Sequence, residues 1–358
     1  MATYVNFTND DVIIDTTKVT TGIFSGGIGT LAGGSLATAS LSTTQKAYYY
    51  NMQYNSVDQF SVTYGHKHGS GSYDTTTTKG KTEAIYKSFA STLLLPDDVD
   101  TGFIVKQAGG TETTQSDMYF ISFERARMKD RVNRENWTLT LSGSNTTNVQ
   151  QKLFLTDNSK LTASVASPVG PRYTIRSGSV GAVVGNTEYG FFYPNVGILA
   201  LSVTQLSASI PGAPGYVESG SPYIHGINQS PGILPGTGIG LAPDLSTNLD
   251  SAADNAGKLV NTILAGGNQT FRSEEDQVTT SYFCRAKAGH FNFSNNPTFT
   301  SGSDNQFLQR SFESNPQTFI TTVGLYTTND ELVAVGRLSS AVQKNYSSEA
   351  VIKVNLTY

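Results

Sequence analysis

Two histidines separated by one residue form the pattern in this sequence closest to a metal site. His66 and His68 would face the same side of a β-strand, where imidazoles can ligate zinc. They lie among Gly and Ser residues, and no third His or Cys is near them in the sequence. Because a closed zinc site needs about four ligands, the pattern favours a solvated loop. We therefore expect no metal site, and we expect His225 and His290 to be structural or exposed.

Two acidic clusters could supply paired carboxylates for glycoside hydrolysis or for a bound hard cation. They consist of Asp97, Asp98 and Asp100, and of Glu274, Glu275 and Asp276. Neither cluster has the alternating spacing and the glycine of a calcium-binding EF-hand loop. A polysaccharide depolymerase would depend on these acids alone, so the sequence predicts no catalytic residues and a protein that is not an enzyme.

Nucleophile and cofactor motifs are equally weak. Cys284 lies between Phe283 and Arg285 in a predicted strand, and we expect it to be a small buried apolar residue. Residues 27–32 fit the dinucleotide-binding pattern G-x-G-x-x-A, but the segment after them is a poor helix start. The pattern therefore indicates a flexible turn, and we expect no cofactor.

The densest charge run lies between Glu124 and Trp137. Its five basic residues are Arg125, Arg127, Lys129, Arg131 and Arg134. Arginine binds carboxylates in a bidentate manner and is enriched at interfaces, so these residues are interface candidates. The alternative is a charged connection between two strands.

A group of tyrosines supplies the remaining interface candidates, namely Tyr48, Tyr49 and Tyr50. Tyrosine gives contact area at a low cost in conformational entropy, which suits binding to a protein or a sugar. The alternative is that these rings occupy the two faces of a buried strand.

Charged residues make up only 15% of the 358 residues, against roughly 25% in typical domains. A net charge of −4 argues against nucleic acid as a partner and against a polybasic membrane contact. We find no apolar run long enough for a transmembrane helix, and the opening residues MATYVNFTND predict no secretory signal peptide. The single cysteine predicts a fold without an intrachain disulfide.

A Thr-, Ser-, Tyr- and Gly-rich composition favours strands and turns over helices. We predict a mainly β fold of antiparallel, sandwich-like sheets, with one or two short helices and long Gly/Pro-rich loops or arms. One helix is predicted near residues 83–95, with Thr82 as its N-cap and Pro96 as its end. The second is predicted within SAADNAGKLVNTILAGG.

Three regions follow from the composition. Residues 1–206 are predicted to be β-rich, residues 207–267 to be a Gly/Pro-rich extended arm or insertion, and residues 268–358 to be a C-terminal β-domain. In the last region we predict one hairpin from SYFCRA and HFNFS and a second from TFITTVGLY and ELVAVGRL. The final strand alternates, with Ile352, Val354, Leu356 and Tyr358 on one face.

The segment NPQTFITTVGLYTTNDELVAVGRLSSAVQKNYSSEAVIKVNLTY (315–358) resembles the closing segment of virion structural proteins of contractile-tailed phages, especially those that infect cyanobacteria. The segments YGFFYPNVGILALS (189–202) and YFISFERARMKDR (119–131) are also similar to that group. The resemblance implies a virion protein made in a host cytoplasm, without catalytic residues.

We therefore expect a structural subunit of the tail, baseplate or neck/fibre attachment. Its expected partners are copies of itself and other virion proteins, without nucleic acid or membrane, and its expected location is the virion. The expected contact regions are residues 125–134, the arm at 207–267 and the loop at 65–81. The alternative function is a receptor- or glycan-binding β-module of a phage tail fibre, suggested by the Tyr and Asn content.

Overall fold

The fold is mainly β, with antiparallel sheets, as the composition predicts. A computed structural model describes residues 4–40, 48–69, 81–107, 109–144, 150–210, 255–294, 296–301, 304 and 306–358. Within these residues four α-helices are present, two more than the upper expectation.

The elements are numbered in chain order. The strands are β1 (Val12–Gly22), β2 (Thr30–Ala32), β3 (Ala37–Thr38), β4 (Tyr49–Tyr54), β5 (Val57–His66), β6 (Ile104–Lys106), β7 (Glu112–Thr114), β8 (Asp117–Phe123), β9 (Arg131–Val132), β10 (Leu139–Ser144), β11 (Gln150–Asp157), β12 (Val165–Ser167), β13 (Gly170–Ser179), β14 (Ala182–Tyr193), β15 (Ile198–Ser202), β16 (Asn268–Thr270), β17 (Arg272–Ala286), β18 (Thr318–Tyr326), β19 (Leu332–Lys344) and β20 (Ala350–Thr357). The described helices are α1 (Lys81–Leu93), α2 (Arg125–Met128), α3 (Val203–Ser209) and α4 (Asn255–Leu264).

The chain divides into two units at positions other than those predicted. The sheet unit is Val19–Glu275, and the terminal unit combines Met1–Lys18 with Asp276–Tyr358. The first strand of the sequence therefore contributes residues to the terminal unit. Composition along the chain could not indicate that its two ends belong to one unit.

The sheet unit is built on one ten-stranded antiparallel sheet. Its strand order is β10-β11-β13-β14-β15-β8-β5-β4-β3, and β12 pairs with β13. The central strands are apolar on both faces. In β8, Tyr119 and Ile121 belong to one buried cluster, whereas Met118 and Phe120 belong to the other. Both faces of the sheet must therefore be covered.

Two helices provide that cover. Helix α4 buries Ala256, Leu259, Val260 and Ile263, at helical spacing, in the larger cluster. Helix α1 contributes to the smaller cluster, where Phe89 stacks on Phe120 with ring centroids 3.9 Å apart. Residues 255–264 thus form the short helix predicted within residues 207–267, and residues 211–254 lie outside the described residues.

The edge strand β10 is covered by the segment that follows α4. Thr138 and Thr270 exchange backbone hydrogen bonds of 2.7 and 3.0 Å. The buried Gln269 side chain then continues this pairing. Its Nε2 donates to Thr140 O at 2.6 Å, and its Oε1 accepts from Thr140 N at 2.8 Å. An amide side chain thus takes the place of a neighbouring strand and protects this edge from pairing with another chain.

Both predicted helices are present, the first beginning at Lys81 instead of Glu83, and two further helices were missed. Thr82 lies inside α1 rather than before it. Helix α2 is four residues within the Arg-rich run, and α3 is capped by Ser202, whose hydroxyl accepts from Gln205 N at 3.2 Å. Helix α2 has only four residues, and α3 contains the weaker helix formers Val203, Thr204, Ser207 and Ser209, so local preference did not reveal them.

In the terminal unit, the hairpin of β18 and β19 is confirmed, as is the alternating burial of β20. The predicted hairpin of residues 281–286 with 290–294 is wrong. Residues 290–294 form no strand, and β17 pairs instead with β20 in the register Thr279↔Thr357 to Ala286↔Ala350. The C-terminal strand, which continues its alternation to the end of the chain, takes that pairing.

Asp11 ties the N-terminal segment of the terminal unit to β17. Its Oδ2 accepts from the Thr8 hydroxyl at 2.7 Å and from Thr8 N at 3.0 Å, and Arg285 Nε donates to its Oδ1 at 2.5 Å. The Thr8 hydrogen bonds, followed by the Arg285 contact, lower the pKa of Asp11 from 3.8 to about 2.

We expect this contact to make the terminal unit sensitive to acid. A carboxyl with a lowered pKa stabilises the fold fully above its ordinary value, and that contribution is lost as the pH falls from 3.8 to about 2. Thermal unfolding of Asp11→Asn and of the native chain across this range tests the sign. The difference in stability between the native chain and Asp11→Asn should shrink as the pH falls. Asp10→Asn, which changes the exposed neighbour, should show no such difference from the native chain. A gap for Asp11→Asn that widens in acid would contradict this assignment.

Candidate functional site

The basic side chains of the Arg-rich segment, residues 125–134, all contact groups of the sheet unit. Arg125 Nη1 donates to Asp130 O at 3.0 Å, and Arg127 Nη1 donates to Ser25 Oγ at 3.3 Å. Arg134 Nη1 donates to the Tyr173 hydroxyl at 2.6 Å, with the guanidinium 5.8 Å from the centre of that ring. Arg125, Lys129 and Arg134 remain exposed, so part of the segment is accessible.

The two remaining bases pair with one of the acidic clusters. Lys129 Nζ lies 2.5 Å from Glu275 Oε2, and Arg131 Nε lies 3.1 Å from Glu274 Oε1. Asn133 Nδ2 also donates to Glu274. Strand β9 brings them together, because Arg131 pairs with Glu274 in the register of β9 and β17. Two of the five basic residues thus pair with two acids distant in sequence, and the buried Glu274 carboxylate is bound by groups of its own unit.

The tyrosine candidates lie mostly inside the protein. Tyr50 is a member of the larger buried cluster, Tyr48 is buried beneath Lys81, whose Nζ lies 5.3 Å from the ring centre, and Tyr49 is half-buried. This arrangement corresponds to the buried-strand alternative. These side chains pack the sheet unit and offer little surface to a partner.

The histidine pair does not present two imidazoles on one strand face, because β5 ends at His66 and His68 lies in the following turn. His66 Nε2 lies 3.3 Å from Asp117 Oδ1, which also accepts from the Tyr64 hydroxyl at 2.8 Å. Burial lowers the pKa of His66 against the opposing effect of Asp117. Among the described residues, no three His, Cys, Asp or Glu side chains group as a metal site would require.

The other candidates from the sequence lie in different elements of the chain and form no common site among the described residues. Residues 25–29 form a turn with positive φ at Gly26 and Gly27, and β2 follows it instead of a helix. Cys284 is half-buried rather than fully buried, and burial raises the pKa of its thiol. Asp97 and Asp98 are exposed in a short 3₁₀ turn. His225, most of the 65–81 loop and most of the 207–267 arm lie outside the described residues.

A surface that the sequence analysis missed lies at the turn end of the β18–β19 hairpin. We call it the hairpin-end cluster, and it consists of Tyr4, Tyr326, Leu332, Val333 and Val335, with exposed fractions of 52, 45, 53, 60 and 60%. The rings of Tyr4 and Tyr326 meet edge to face at 5.2 Å. A Cβ added to Gly324 would lie 2.8 Å from Tyr326 Cε2 and 3.3 Å from Leu332 Cδ1, and Gly324 pairs with Val335. The register shift between Leu325 and Tyr326 places Leu332 opposite Tyr326, so these two side chains share a face with Gly324 and Val335.

A sequence pattern could have indicated this surface. In ELVAVGRL, apolar residues occupy both faces of the strand, since Leu332 and Ala334 alternate with Val333 and Val335. A strand with one solvated face is expected to be polar on that face. Neither buried apolar cluster of the described residues includes a residue of the terminal unit.

No protein-family model, curated protein sequence or solved structure matches this chain. A search of the described helices found none that combines the length and the apolar character needed to cross a membrane.

Proposed function

We propose that the protein is a structural subunit of a contractile-tailed phage virion, in the tail, the baseplate or a neck/fibre attachment. It acts through contacts with copies of itself and with other virion proteins, without catalysis. It is made in the host cytoplasm and functions in the assembled particle.

The hairpin-end cluster is the observation that carries this proposal. Five apolar or aromatic side chains, four of them at the turn end of a two-stranded hairpin, are each at least 45% exposed. Burial of such surface is favourable by roughly 25 cal/mol per Å², and contiguous exposed apolar patches mark interaction sites. A subunit covered by neighbours in its working state can carry such a face.

The sequence resemblance also supports the proposal, and it involves the same part of the chain. The hairpin and β20 together form most of the segment 315–358 that resembles phage virion proteins. The pairing of the Arg-rich segment with Glu274 and Glu275 adds to this support, because it gives those acids a role in the fold instead of in glycan cleavage.

The protein composition of purified particles tests the proposal. Phage particles from the lysed host would be purified by density gradient, washed in high salt and analysed by quantitative mass spectrometry. We expect the chain to remain with the particles at a fixed ratio to the major tail protein. Recovery of the chain only in the soluble lysate would contradict the proposal.

A further inference from the structure

We propose that a groove on the sheet unit binds an acidic saccharide, with an aromatic ring for the face of the sugar and a lysine for its carboxylate. The groove has a volume of about 390 Å³, within the range of about 300–1,000 Å³ typical of small-ligand sites. It is lined by Thr138, Thr140, Lys152, Phe154, Ser179, Gly267, Asn268 and Thr270. This site is separate from the hairpin-end cluster, and the proposal does not depend on a role in the virion.

The groove lies on the face of β10 and β11 that points away from the buried cluster. Leu139, Leu141 and Leu155 face that cluster, whereas Thr140 and Phe154, paired across the two strands, face the opposite way. The segment Asn268–Thr270 forms the second wall and is held on β10 by the Gln269 and Thr138 hydrogen bonds already described. Both walls are regular structure, so the groove is already formed without a ligand.

One wall carries an ordered row of hydroxyl groups. Thr138 Oγ1 lies 3.0 Å from Ser179 Oγ and accepts from Val180 N at 2.9 Å, and Thr140 Oγ1 donates to Asn268 O at 2.8 Å. These contacts fix the hydroxyl positions. Thr138 and Thr140 are buried at the base of the groove, whereas Ser179 is exposed and its hydroxyl can bind a sugar hydroxyl.

Two strong donors at the groove are not used by the fold. Among the described residues, neither Lys152 Nζ nor the Asn268 side-chain amide has a hydrogen bond or an ion pair, and both residues are exposed. A Cβ added to Gly267 would lie 3.9 Å from Lys152 Nζ and 3.6 Å from Thr140 Cγ2. The ammonium group therefore lies above the groove floor, where it can pair with an anionic substituent of a ligand.

Phe154 completes the site. Its ring is 45% exposed, although it lies beside hydroxyl groups on the outer face of the sheet. An aromatic ring has an apolar face, which suits the C–H face of a sugar while polar neighbours bind the hydroxyls. An exposed ring, fixed hydroxyls and an unpaired ammonium within one groove favour a saccharide that carries a carboxylate.

Binding of tetragalacturonate and of neutral maltotetraose to the full chain tests the proposal, by titration calorimetry and saturation-transfer NMR. We expect tetragalacturonate to bind at millimolar concentration, and maltotetraose to bind at least about tenfold more weakly because it lacks the charged partner of Lys152. Lys152→Gln and Phe154→Ala should each weaken tetragalacturonate binding by about tenfold. The backbone φ of Gly267 is one that other residues adopt, so Gly267→Val should fill part of the groove floor and thereby weaken tetragalacturonate binding.

Matched variants separate the site from a general effect of charge or folding. Lys106→Gln removes an exposed lysine of the same unit, and Leu161→Ala removes an exposed apolar side chain, and both should bind as the native chain does. Circular dichroism confirms that each variant is folded. Three results would overturn the proposal. The first is no binding of tetragalacturonate, and the second is equal affinity for tetragalacturonate and maltotetraose. The third is that inorganic phosphate displaces tetragalacturonate equally well from the native chain and from Phe154→Ala, which would indicate an anion site only.

Discussion

Replacing Phe271 with alanine should lower the free energy of unfolding of the sheet unit by about 3–5 kcal/mol, the usual cost of deleting a buried ring. Phe271 is 1% exposed. It stacks on Trp137 with ring centroids 5.5 Å apart and planes 7° apart, and it contacts Phe123 at 4.7 Å and Phe24 at 6.3 Å. Its loss would leave a cavity among three rings that belong to different parts of the chain.

Trp137 fluorescence during urea unfolding measures this effect, since Trp137 is the single tryptophan and is fully buried in the same unit. Phe271→Leu, which keeps most of the volume, should cost about 1.5 kcal/mol. Phe154→Ala is the matched control, because that ring is exposed and its loss should cost under about 1 kcal/mol. Equal urea midpoints for Phe271→Ala and Phe154→Ala would contradict the packing of Phe271 among these three rings.

Replacing Lys344 with methionine should destabilise the terminal unit by about 3 kcal/mol, because it leaves buried acceptors without a donor. Lys344 is fully buried. Its Nζ donates to Ala288 O at 2.9 Å, to Asn292 Oδ1 at 3.0 Å and to Asn345 O at 2.8 Å. The ammonium thereby fixes the loop after β17 to the end of β19. Burial lowers its pKa, opposed by Glu349.

Hydrogen exchange of peptides from β18, β19 and β20 measures this change, since the terminal unit lacks a tryptophan. A loss of about 3 kcal/mol should accelerate exchange through local opening by about a hundredfold. Lys353→Met in β20 changes an exposed lysine and should have little effect. Comparable exchange in Lys344→Met and Lys353→Met would contradict the assigned role of the buried ammonium group.

Local patterns predicted the strands well, where one face or both faces are clearly apolar. The alternation predicted for β20 is present in its burial, and the hairpin predicted from TFITTVGLY and ELVAVGRL is formed by β18 and β19. The partners of these strands were not predictable, because pairing is decided by contacts between distant segments. The SYFCRA strand was assigned to its neighbour in sequence, whereas it pairs with the C-terminal strand.

The same limit applies to the surfaces. Lys129 and Glu275 are 146 positions apart, so the sequence showed a basic run and an acidic run but not their ion pair. The groove combines residues 138–179 with 267–270, and its exposed Phe154 looks like any apolar residue of a strand. The hairpin-end cluster has a clearer signal in the sequence, since ELVAVGRL carries apolar residues at successive positions of one strand.

The central claim is that the hairpin-end cluster is covered in the assembled particle. Hydroxyl-radical footprinting of the chain in intact particles and of the free chain tests it directly, by comparing oxidation of Tyr4, Tyr326 and Leu332. We predict strong oxidation of all three in the free chain and a loss of at least about fivefold in the particle, as expected for side chains transferred to an interface core. Equal oxidation in the free chain and in the particle would contradict the claim.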